Sequence, residues 1–210
     1  LDQGERGFSY MHDGPLDMRM DQSRGRSAQD IVQEMTVEEL SKILSMYGEE
    51  KEHYRIAQGI VSARREKPIT TTGQLADIIL KSMSARARRQ KGHPAKRSFQ
   101  ALRIYVNDEM GELYRFLEQA PDYLSPGGVL AIITFHSLED RIVKQKFRAW
   151  ENPCTCPRGL PCVCGQVPWG EEKPRGGIVA SEAEEKNNRR AHSARLRLFT
   201  RYDNVVTVNR

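Results

Sequence analysis

The sequence has few of the features that would place a protein in a membrane or outside the cell. Its 210 residues hold no run approaching the roughly 18 apolar residues that a membrane-spanning helix requires. The first residues lack the apolar segment of a secretory signal peptide, and no internal repeat is visible. These absences argue against a helical membrane protein and a repeat architecture.

Charge, in contrast, is plentiful and slightly unbalanced. Charged residues make up 29% of the chain and apolar residues 38%, which is typical of a globular domain with a polar surface. The formal net charge is +5 and the sequence pI is about 9.1. A mild positive charge favours a polyanionic partner, although many proteins without such a partner are equally basic.

The clearest structural signal lies in residues 127–141. A Pro-Gly-Gly turn precedes the apolar, β-branched run Val129–Ile133, which predicts a strand buried on both faces. His136 and Ser137 follow, and Ser137 together with Asp140 predicts the start of a helix. Apolar residues continue that helix at helical spacing, namely Ile142, Val143, Phe147 and Trp150. Ligands of open α/β sheets bind at the carboxyl ends of strands, where this turn is expected to lie.

Amphipathic helices are predicted before this strand. The capping residues Ser27, Thr36 and Thr72 predict three of them, and a fourth is expected around residues 56–61. One longer helix is predicted over about residues 97–119, because apolar residues recur there every three or four positions. The helix–strand–helix order predicts an α/β fold. Alternating residues near the end predict strands at 195–198 and 205–208.

Four cysteines stand close together in the Pro- and Gly-rich segment after Trp150. Cys154, Cys156, Cys162 and Cys164 form a C-x-C-x5-C-x-C array, and paired thiols of this kind can hold zinc tetrahedrally. The spacing differs from the common C-x2-C, and thiols in a loop without metal are the alternative. A zinc ion held by four thiolates would be structural, because no coordination position stays open.

A run of cations occupies residues 86–97. Its members are Arg86, Arg88, Arg89, Lys91, Lys96 and Arg97. Such a run suits contacts with nucleic-acid phosphates, and a solvated surface is the alternative. We favour RNA contact through Arg88, Arg89, Lys91 and Arg97, because the run adjoins the sequence blocks described next.

Four ordered blocks of residues resemble one known family. They are Glu5–Ser9 with Asp13–Asp21, Tyr47–Lys51, Phe135–Lys144 and Asn188–Ala194. Together they are similar to the signatures of the MraW/RsmH family, whose members are S-adenosylmethionine-dependent methyltransferases acting on N4 of a cytosine in 16S, small-subunit ribosomal RNA. The resemblance covers nearly the whole chain. It implies a Rossmann-like methyltransferase core, a cytoplasmic location and, as partner, small-subunit ribosomal RNA or the ribosomal subunit.

The resemblance also implies site residues. His136, Ser137, Asp13 and Asp17 are the candidates for the catalytic site. Methylation of an exocyclic amine needs groups that accept hydrogen bonds from the amine and hold the reacting atoms in line. The Asp/Asn-Pro-Pro-aromatic motif of many amino-methyltransferases is absent, which argues against a typical DNA-modifying enzyme. The alternatives are a helix cap at Ser137, a packed turn residue at His136 and a solvated loop around the aspartates.

Three further residues are expected to contact RNA. Phe8 is predicted either to stack on a base or to anchor the core. Arg19 is expected beside the active site. Arg141 is interpreted as a phosphate contact, with an ordinary charge at a helix start as the alternative.

The glycine-rich cofactor motif of the family is missing from the sequence. It is expected before Leu1, so no cofactor-binding residue is assigned, and the chain alone is expected to be inactive. Residues 1–21 and 93–210 are assigned to the methyltransferase core, truncated at its N-terminus, and residues 22–92 to an all-helical insert for substrate recognition. Missing strands would leave a strand edge open, which predicts weak stability or a homodimer. The rival functions are a non-catalytic RNA- or ribosome-binding fragment and an enzyme of the same fold acting on another amine.

Overall fold

The computed structural model describes residues 4–90, 92–157, 159, 161 and 163–203. The chain divides into two units, with the boundary between Glu109 and Met110. The strand predicted at 205–208 lies outside the described residues. None of the helices formed by the described residues combines the length and the apolar content that crossing a bilayer requires.

The first unit is built from helices. They are α1 (Ala28–Glu34), α2 (Val37–Gly48), α3 (His53–Glu66), α4 (Thr72–Ser82), α5 (Ala85–Arg88) and α6 (Lys96–Val106). A single turn of 3-10 helix, Gly4–Arg6, comes before them. Helices α2, α3 and α6 pack together, with α2 in contact with both of the others.

Side-chain caps begin the first two helices. Ser27 accepts a hydrogen bond from the backbone N–H of Asp30, and Asp30 accepts one in return from the backbone of Ser27. Thr36 and Glu39 form the same reciprocal pair at the start of α2. Each pair satisfies two backbone donors that have no partner within the helix. Both predicted starts are therefore confirmed.

The predicted start of α4 is one residue late. Thr71 caps the helix, with Gln74 as the reciprocal partner. Thr72 is fully buried instead, and its hydroxyl donates a hydrogen bond to the backbone oxygen of His12 at 3.0 Å. Three consecutive threonines, Thr70–Thr72, offer the same capping chemistry, so the local sequence does not indicate which of them caps the helix.

A single apolar cluster fills the first unit. Leu16 and Met18 join it from the segment before α1, and both are almost completely buried. Its fully buried members from the helices include Leu40, Leu44, Ile56, Ile60, Leu75 and Ile79. The segment around residues 16–18 is therefore held by the burial of apolar side chains and does not lie free in solvent.

The prediction of one continuous helix over residues 97–119 is wrong. The segment forms two helices, α6 and α7 (Glu109–Tyr123), separated by Asn107 and Asp108. Asp108 has a φ of 48°, which an α-helix does not allow. The side chain of Asn107 accepts a hydrogen bond from the N–H of Met20 and donates one to the oxygen of Met18. Apolar periodicity runs across this break, so the sequence pattern hides it.

The second unit combines helices with a small sheet. After α7 come β1 (Val129–Thr134), α8 (Ser137–Glu151), β2 (Gly170–Glu172), β3 (Ile178–Val179), α9 (Glu182–Asn187) and β4 (Arg195–Arg201). Strand β4 pairs with β1, β2 and β3, and every pairing is antiparallel. The mixed helix and sheet content is consistent with an α/β methyltransferase, and the strand predicted at 195–198 is confirmed within β4.

The prediction that β1 is buried on both faces is wrong. Its residues alternate between exposed and more buried positions, and Val129 and Ile133 are 55% and 58% exposed. Among the described strands β1 pairs only with β4, so its other edge has no described neighbour. An apolar run alone cannot distinguish a strand covered on two faces from one covered on a single face.

Helix α8 covers the other face of the sheet. Its buried residues include Ile142, Val143, Phe147 and Trp150, as their spacing predicts. The rings of Phe147 and Trp150 each lie 5.1 Å from the ring of Phe199 in β4, measured between centroids. This aromatic cluster joins α8 to the sheet. Helix α8 thereby fixes the turn that connects it to β1.

Candidate catalytic turn and RNA-binding surface

Residues 13–21 form an ordered loop within the first unit. Leu16 donates a backbone hydrogen bond to the oxygen of Thr70 at 3.0 Å, and Thr72 donates one to the oxygen of Gly14 at 2.9 Å. Gly7 passes so close that a Cβ there would lie 2.2 Å from the oxygen of Pro15, and its φ is 74°. The backbone of this segment is therefore anchored to the rest of the first unit, while Asp13 and Asp21 at its two ends are exposed.

Asp17 and Arg19 lie together and form a two-pronged ion pair. The guanidinium Nε and one terminal nitrogen of Arg19 lie 2.8 and 2.9 Å from the two carboxylate oxygens of Asp17. Gln22 donates a further hydrogen bond to the same carboxylate at 3.2 Å. Hydrogen bonds from Arg19 lower the pKa of Asp17, although partial burial opposes the shift. The carboxylate is thus held in its ionised, hydrogen-bond-accepting form.

Asp13 is an exposed residue that joins the loop to helix α4. Its carboxylate accepts a hydrogen bond from the N–H of Gly73, in the first turn of α4, at 2.8 Å. It also accepts one from the N–H of Gly14 at 3.1 Å. The bond from Gly73 is the main cause of a lowered pKa at Asp13. The structure gives Asp13 a clear local role as an anchor for the loop.

His136 begins helix α8, in the position predicted for Ser137. Its Nδ1 accepts a hydrogen bond from the N–H of Glu139, and the Glu139 carboxylate accepts bonds from the N–H groups of Phe135 and His136, at 2.8 and 3.3 Å. Because Nδ1 accepts, a neutral ring carries its proton on Nε2. That nitrogen is buried and lies 3.1 Å from Glu139, but it has no partner of hydrogen-bond geometry among the described residues.

Glu139 completes the cap of helix α8, a role that the sequence analysis does not assign to it. Burial raises the pKa of Glu139, but hydrogen bonds from the side chain of His136 and the N–H of Phe135 lower it by more. The net pKa of Glu139 therefore lies below its usual value. The recognised capping-box pattern is Ser or Thr followed three positions later by Glu or Gln. The cap at His136 is hard to predict from the sequence, because histidine is an uncommon capping residue and the neighbouring Ser137 is a common one.

Ser137 and Arg141 are exposed on the first turns of α8. Ser137 occupies the first helical position, so the prediction that it caps the helix is wrong by one residue. Asp140, predicted as its capping partner, turns instead toward strand β4. The exposure of Ser137 and Arg141 leaves both accessible to a large ligand, and their predicted roles stay predictions.

Asp140 belongs to a buried ion network that the sequence does not reveal. The guanidinium of Arg197, in β4, makes hydrogen bonds of 2.7 and 2.9 Å to the two oxygens of Asp140 and a third bond to Glu172 of β2. The side chain of Arg197 is 3% exposed. Its bonds lower the pKa of Asp140 despite the opposing effect of burial. This network ties α8 to two strands.

Phe8 is partly buried and packs against the apolar cluster of the first unit. The guanidinium carbon of Arg6 lies 5.8 Å from the centre of its ring. This packing fits the core-anchor interpretation, while the partial exposure leaves room for a stacked base. Whether Phe8 also contacts RNA stays a prediction.

The basic run begins on helix α5, whose N-terminus is hydrogen-bonded to Glu52. Ser84 caps α5 and donates hydrogen bonds to the carboxylate of Glu52, from its N–H at 2.9 Å and its hydroxyl at 2.5 Å. Arg88 and Arg89 are exposed, and neither forms an ion pair with a described residue. Arg97, on α6, is also exposed. Lys91 lies outside the described residues.

Three of the four cysteines lie close together. The Sγ atoms of Cys154, Cys156 and Cys164 are all within 4.8 Å of one another. Cys162 lies outside the described residues. The proximity agrees with the predicted thiol cluster and leaves its occupant open.

The Gly127-Gly128 pair precedes β1, and its backbone is already used: the N–H of Gly127 donates to the oxygen of Arg201, and that of Gly128 to the oxygen of Ser125. The turn that leads from β1 into α8 consists of Phe135 and His136, so this strand–turn–helix unit of the described residues has no glycine in its turn. Cofactor contact is therefore not assigned to any described residue.

Comparison with known proteins gives one consistent family. The chain matches the MraW methylase family over residues 1–202. It is 58% identical to the ribosomal RNA small subunit methyltransferase H of Symbiobacterium thermophilum, 53% to that of a Paenibacillus species and 51% to that of Carboxydothermus hydrogenoformans. Each match covers 94% of this chain, and the chain spans 62–63% of the length of these relatives. The chain belongs to the MraW methylase family.

Proposed function

We propose that the chain acts in the methylation of N4 of a cytosine in 16S ribosomal RNA, with S-adenosylmethionine as the methyl donor. The observation that carries the proposal is the family match over residues 1–202, with relatives named as small-subunit ribosomal RNA methyltransferases. The donor supplies the methyl group when it is bound. The residues of this chain contribute the groups that hold and orient RNA.

The turn between β1 and α8 is proposed to contact the target base. His136 is fixed by its bond to Glu139, and Glu139 is fixed by two backbone N–H groups. The Nε2 of His136 is buried and lies 3.1 Å from Oε1 of Glu139, so the ring is held in a fixed orientation within the turn. Exposed Ser137 is proposed to lie beside the same base.

Asp17 is proposed to help orient the amino group of the cytosine, and Asp13 to hold the loop that carries it. The bond from Arg19 keeps Asp17 ionised, and an ionised carboxylate accepts hydrogen bonds from an amine. Arg19 already uses its guanidinium on Asp17 and on the oxygen of Gly25. Its proposed RNA contact therefore depends on the part of the guanidinium that stays exposed.

RNA phosphates are proposed to bind the exposed cations of the first unit. Arg88 is the last residue of the short helix α5 and Arg89 follows it, while Ser84, the cap of α5, is bonded to Glu52. Arg97 lies in the first turn of α6. Cationic side chains that neutralise phosphates release the counterions condensed on the nucleic acid, which favours binding. Phe8 and Arg141 are proposed as further contacts.

The proposed organisation is a Rossmann-like core from residues 1–21 and 93–210, with residues 22–92 as a helical substrate-recognition insert. It is supported by the helices α1–α5 and by the sheet that β1 and β4 form. A cytoplasmic location is proposed because ribosomal RNA is the substrate. The predicted homodimer stays a proposal, and the exposed apolar residues Val129 and Ile133 of β1 are where we propose that it would form.

Methyl transfer to purified small ribosomal subunits tests the proposal. A chimaera would join this chain to the part of the Symbiobacterium relative that it does not cover, and labelled donor would be followed into digested RNA nucleosides. We expect N4-methylcytidine from the chimaera and no product from the 210-residue chain alone. A different methylated nucleoside would favour the rival enzyme. RNA binding without any methylation, in a chimaera that binds the donor, would favour the binding fragment.

A further inference from the structure

The connection between α8 and β2 is a long loop whose two ends are hydrogen-bonded to each other. It runs from residue 152 to residue 169, eighteen residues that contain no helix or strand among those described. At its base the N–H of Trp169 donates a hydrogen bond of 2.9 Å to the oxygen of Trp150. Loops of more than about 12–15 residues without regular structure are uncommon in compact domains and are usually functional or held by other means.

The three described thiols converge within this loop. Cys154, Cys156 and Cys164 are separated by up to ten positions in sequence, yet their Sγ atoms all lie within 4.8 Å of one another. Chain bends occur at Cys156 and Cys164, and Gly165 has a φ of 64°. The backbone therefore turns at the positions where the thiols must face one another.

We propose that these thiols bind a zinc ion that closes the loop. Zinc–sulfur bonds of about 2.3 Å in a tetrahedral site place the sulfur atoms roughly 3.8 Å apart. A contraction of about 1 Å or less from the present separations reaches that geometry. Each thiol releases its proton to solvent as its Zn–S bond forms. The sequence offers Cys162 as a fourth ligand, but the proposal rests on the three described thiols.

A backbone donor already faces one of the ligands. The N–H of Val163 lies 3.4 Å from the Sγ of Cys156 and donates a hydrogen bond to it. Hydrogen bonds of this kind stabilise negative charge on a ligating sulfur and fix its orientation. Thiolate ligands select zinc over the oxygen-binding magnesium and calcium ions. Cys154 is exposed, so the metal has a path into the site.

Metal analysis of the full 210-residue chain, purified without chelator after growth with added zinc, is the first test. We expect close to one zinc per chain. The double variant Cys154→Ser/Cys164→Ser is expected to lose it, while the control His192→Ala, which removes an exposed histidine, keeps it. Zinc retained by the cysteine variant would overturn the site, and so would metal-free protein or iron in place of zinc.

A second measurement does not depend on the folding of a variant. Stepwise modification of the wild-type thiols with a mercurial reagent should release zinc in proportion to the thiols that react, read with a zinc-sensitive dye. Removal of zinc by a chelator should then increase protease cleavage within residues 152–169 and leave the helices of the first unit uncut. Disulfides in place of zinc, seen as a loss of two mass units per bridge, would contradict the proposal.

Discussion

The two units of the chain are stabilised in different ways. The interior of the first is an apolar cluster contributed by α1–α4, α6 and the segment around Leu16 and Met18. The second has a smaller apolar core and buries charged side chains beside it, with Glu172 and Arg197 6% and 2% exposed. One face of its strand β1 is largely open.

This difference predicts which kind of substitution each unit tolerates. Burial of apolar area is non-directional, so the first unit should lose stability in proportion to the volume removed from its cluster. A buried ion network depends on every partner, because a charge left alone in the interior is costly. The second unit should therefore be most sensitive to the loss of a single charge.

Removal of Arg197 should have the largest effect on stability. Arg197→Leu leaves Asp140 and Glu172 without their shared cation, and we expect the second unit to lose about 3–5 kcal/mol of unfolding free energy. Both tryptophans of the chain, Trp150 and Trp169, lie in the second unit, so their fluorescence during urea unfolding reports on it.

The matched control is Arg195→Leu, two residues earlier in the same strand. Arg195 is 40% exposed, and its Nε lies 3.8 Å from Asp140. Its loss should cost about 1 kcal/mol or less. Equal losses for the two variants would show that the buried network is not what distinguishes the second unit.

A cavity in the first unit should lower the unfolding free energy by as much as Arg197→Leu does or by less. Circular dichroism, in place of tryptophan fluorescence, detects this loss. Leu44→Ala removes a fully buried side chain of α2, and such changes cost about 2–5 kcal/mol. The loss should appear in the far-ultraviolet circular dichroism, to which the helices of the first unit contribute strongly. An accompanying shift of equal size in tryptophan fluorescence would mean that the two units unfold as one.

Removal of the Glu139 cap should have a smaller effect. Glu139→Ala takes away the acceptor for the N–H groups of Phe135 and His136, and we expect a loss of about 1 kcal/mol in the second unit. Glu139→Gln keeps an acceptor oxygen and should restore part of the loss. Tryptophan-monitored urea unfolding measures both variants. Equal unfolding free energies for the two variants would show that the Glu139 cap does not stabilise the second unit.

Neutralisation of the basic run should change binding and leave stability alone. Arg88→Gln/Arg89→Gln should weaken the binding of a small-subunit RNA fragment and reduce the salt dependence of binding by nearly one unit of slope for each lost phosphate contact. Arg65→Gln/Lys67→Gln removes two exposed charges elsewhere on the first unit and serves as the control. The same slope in both variants would assign the basic run to a solvated surface.

Local signals in the sequence predict local structure well here. The capping pairs at Ser27 and Thr36 involve residues three positions apart, so the sequence contains the whole interaction. The break at Asp108 depends on Asn107 bonding to Met18, 89 positions away, and the network at Arg197 joins residues 57 positions apart. Contacts over such distances leave no local pattern.

The candidate site shows the same limit. The sequence pattern predicts a turn after β1, and the turn is there, but the choice between His136 and Ser137 as the cap depends on where Glu139 points. The pairing of Asp17 with Arg19 spans two positions, yet its significance depends on the burial of Leu16 and Met18 on either side. The family signature locates the residues, and only the fold shows their contacts.

The most direct test of the central claim replaces His136 in the methyltransferase chimaera. His136→Asn retains a side-chain acceptor for the N–H of Glu139 but removes the imidazole, so the helix cap is preserved. We predict that methyl transfer to small-subunit RNA falls at least tenfold while the tryptophan-monitored unfolding transition stays within about 0.5 kcal/mol of the parent. Unchanged methyl transfer at unchanged stability would contradict the account and leave His136 as a helix cap alone.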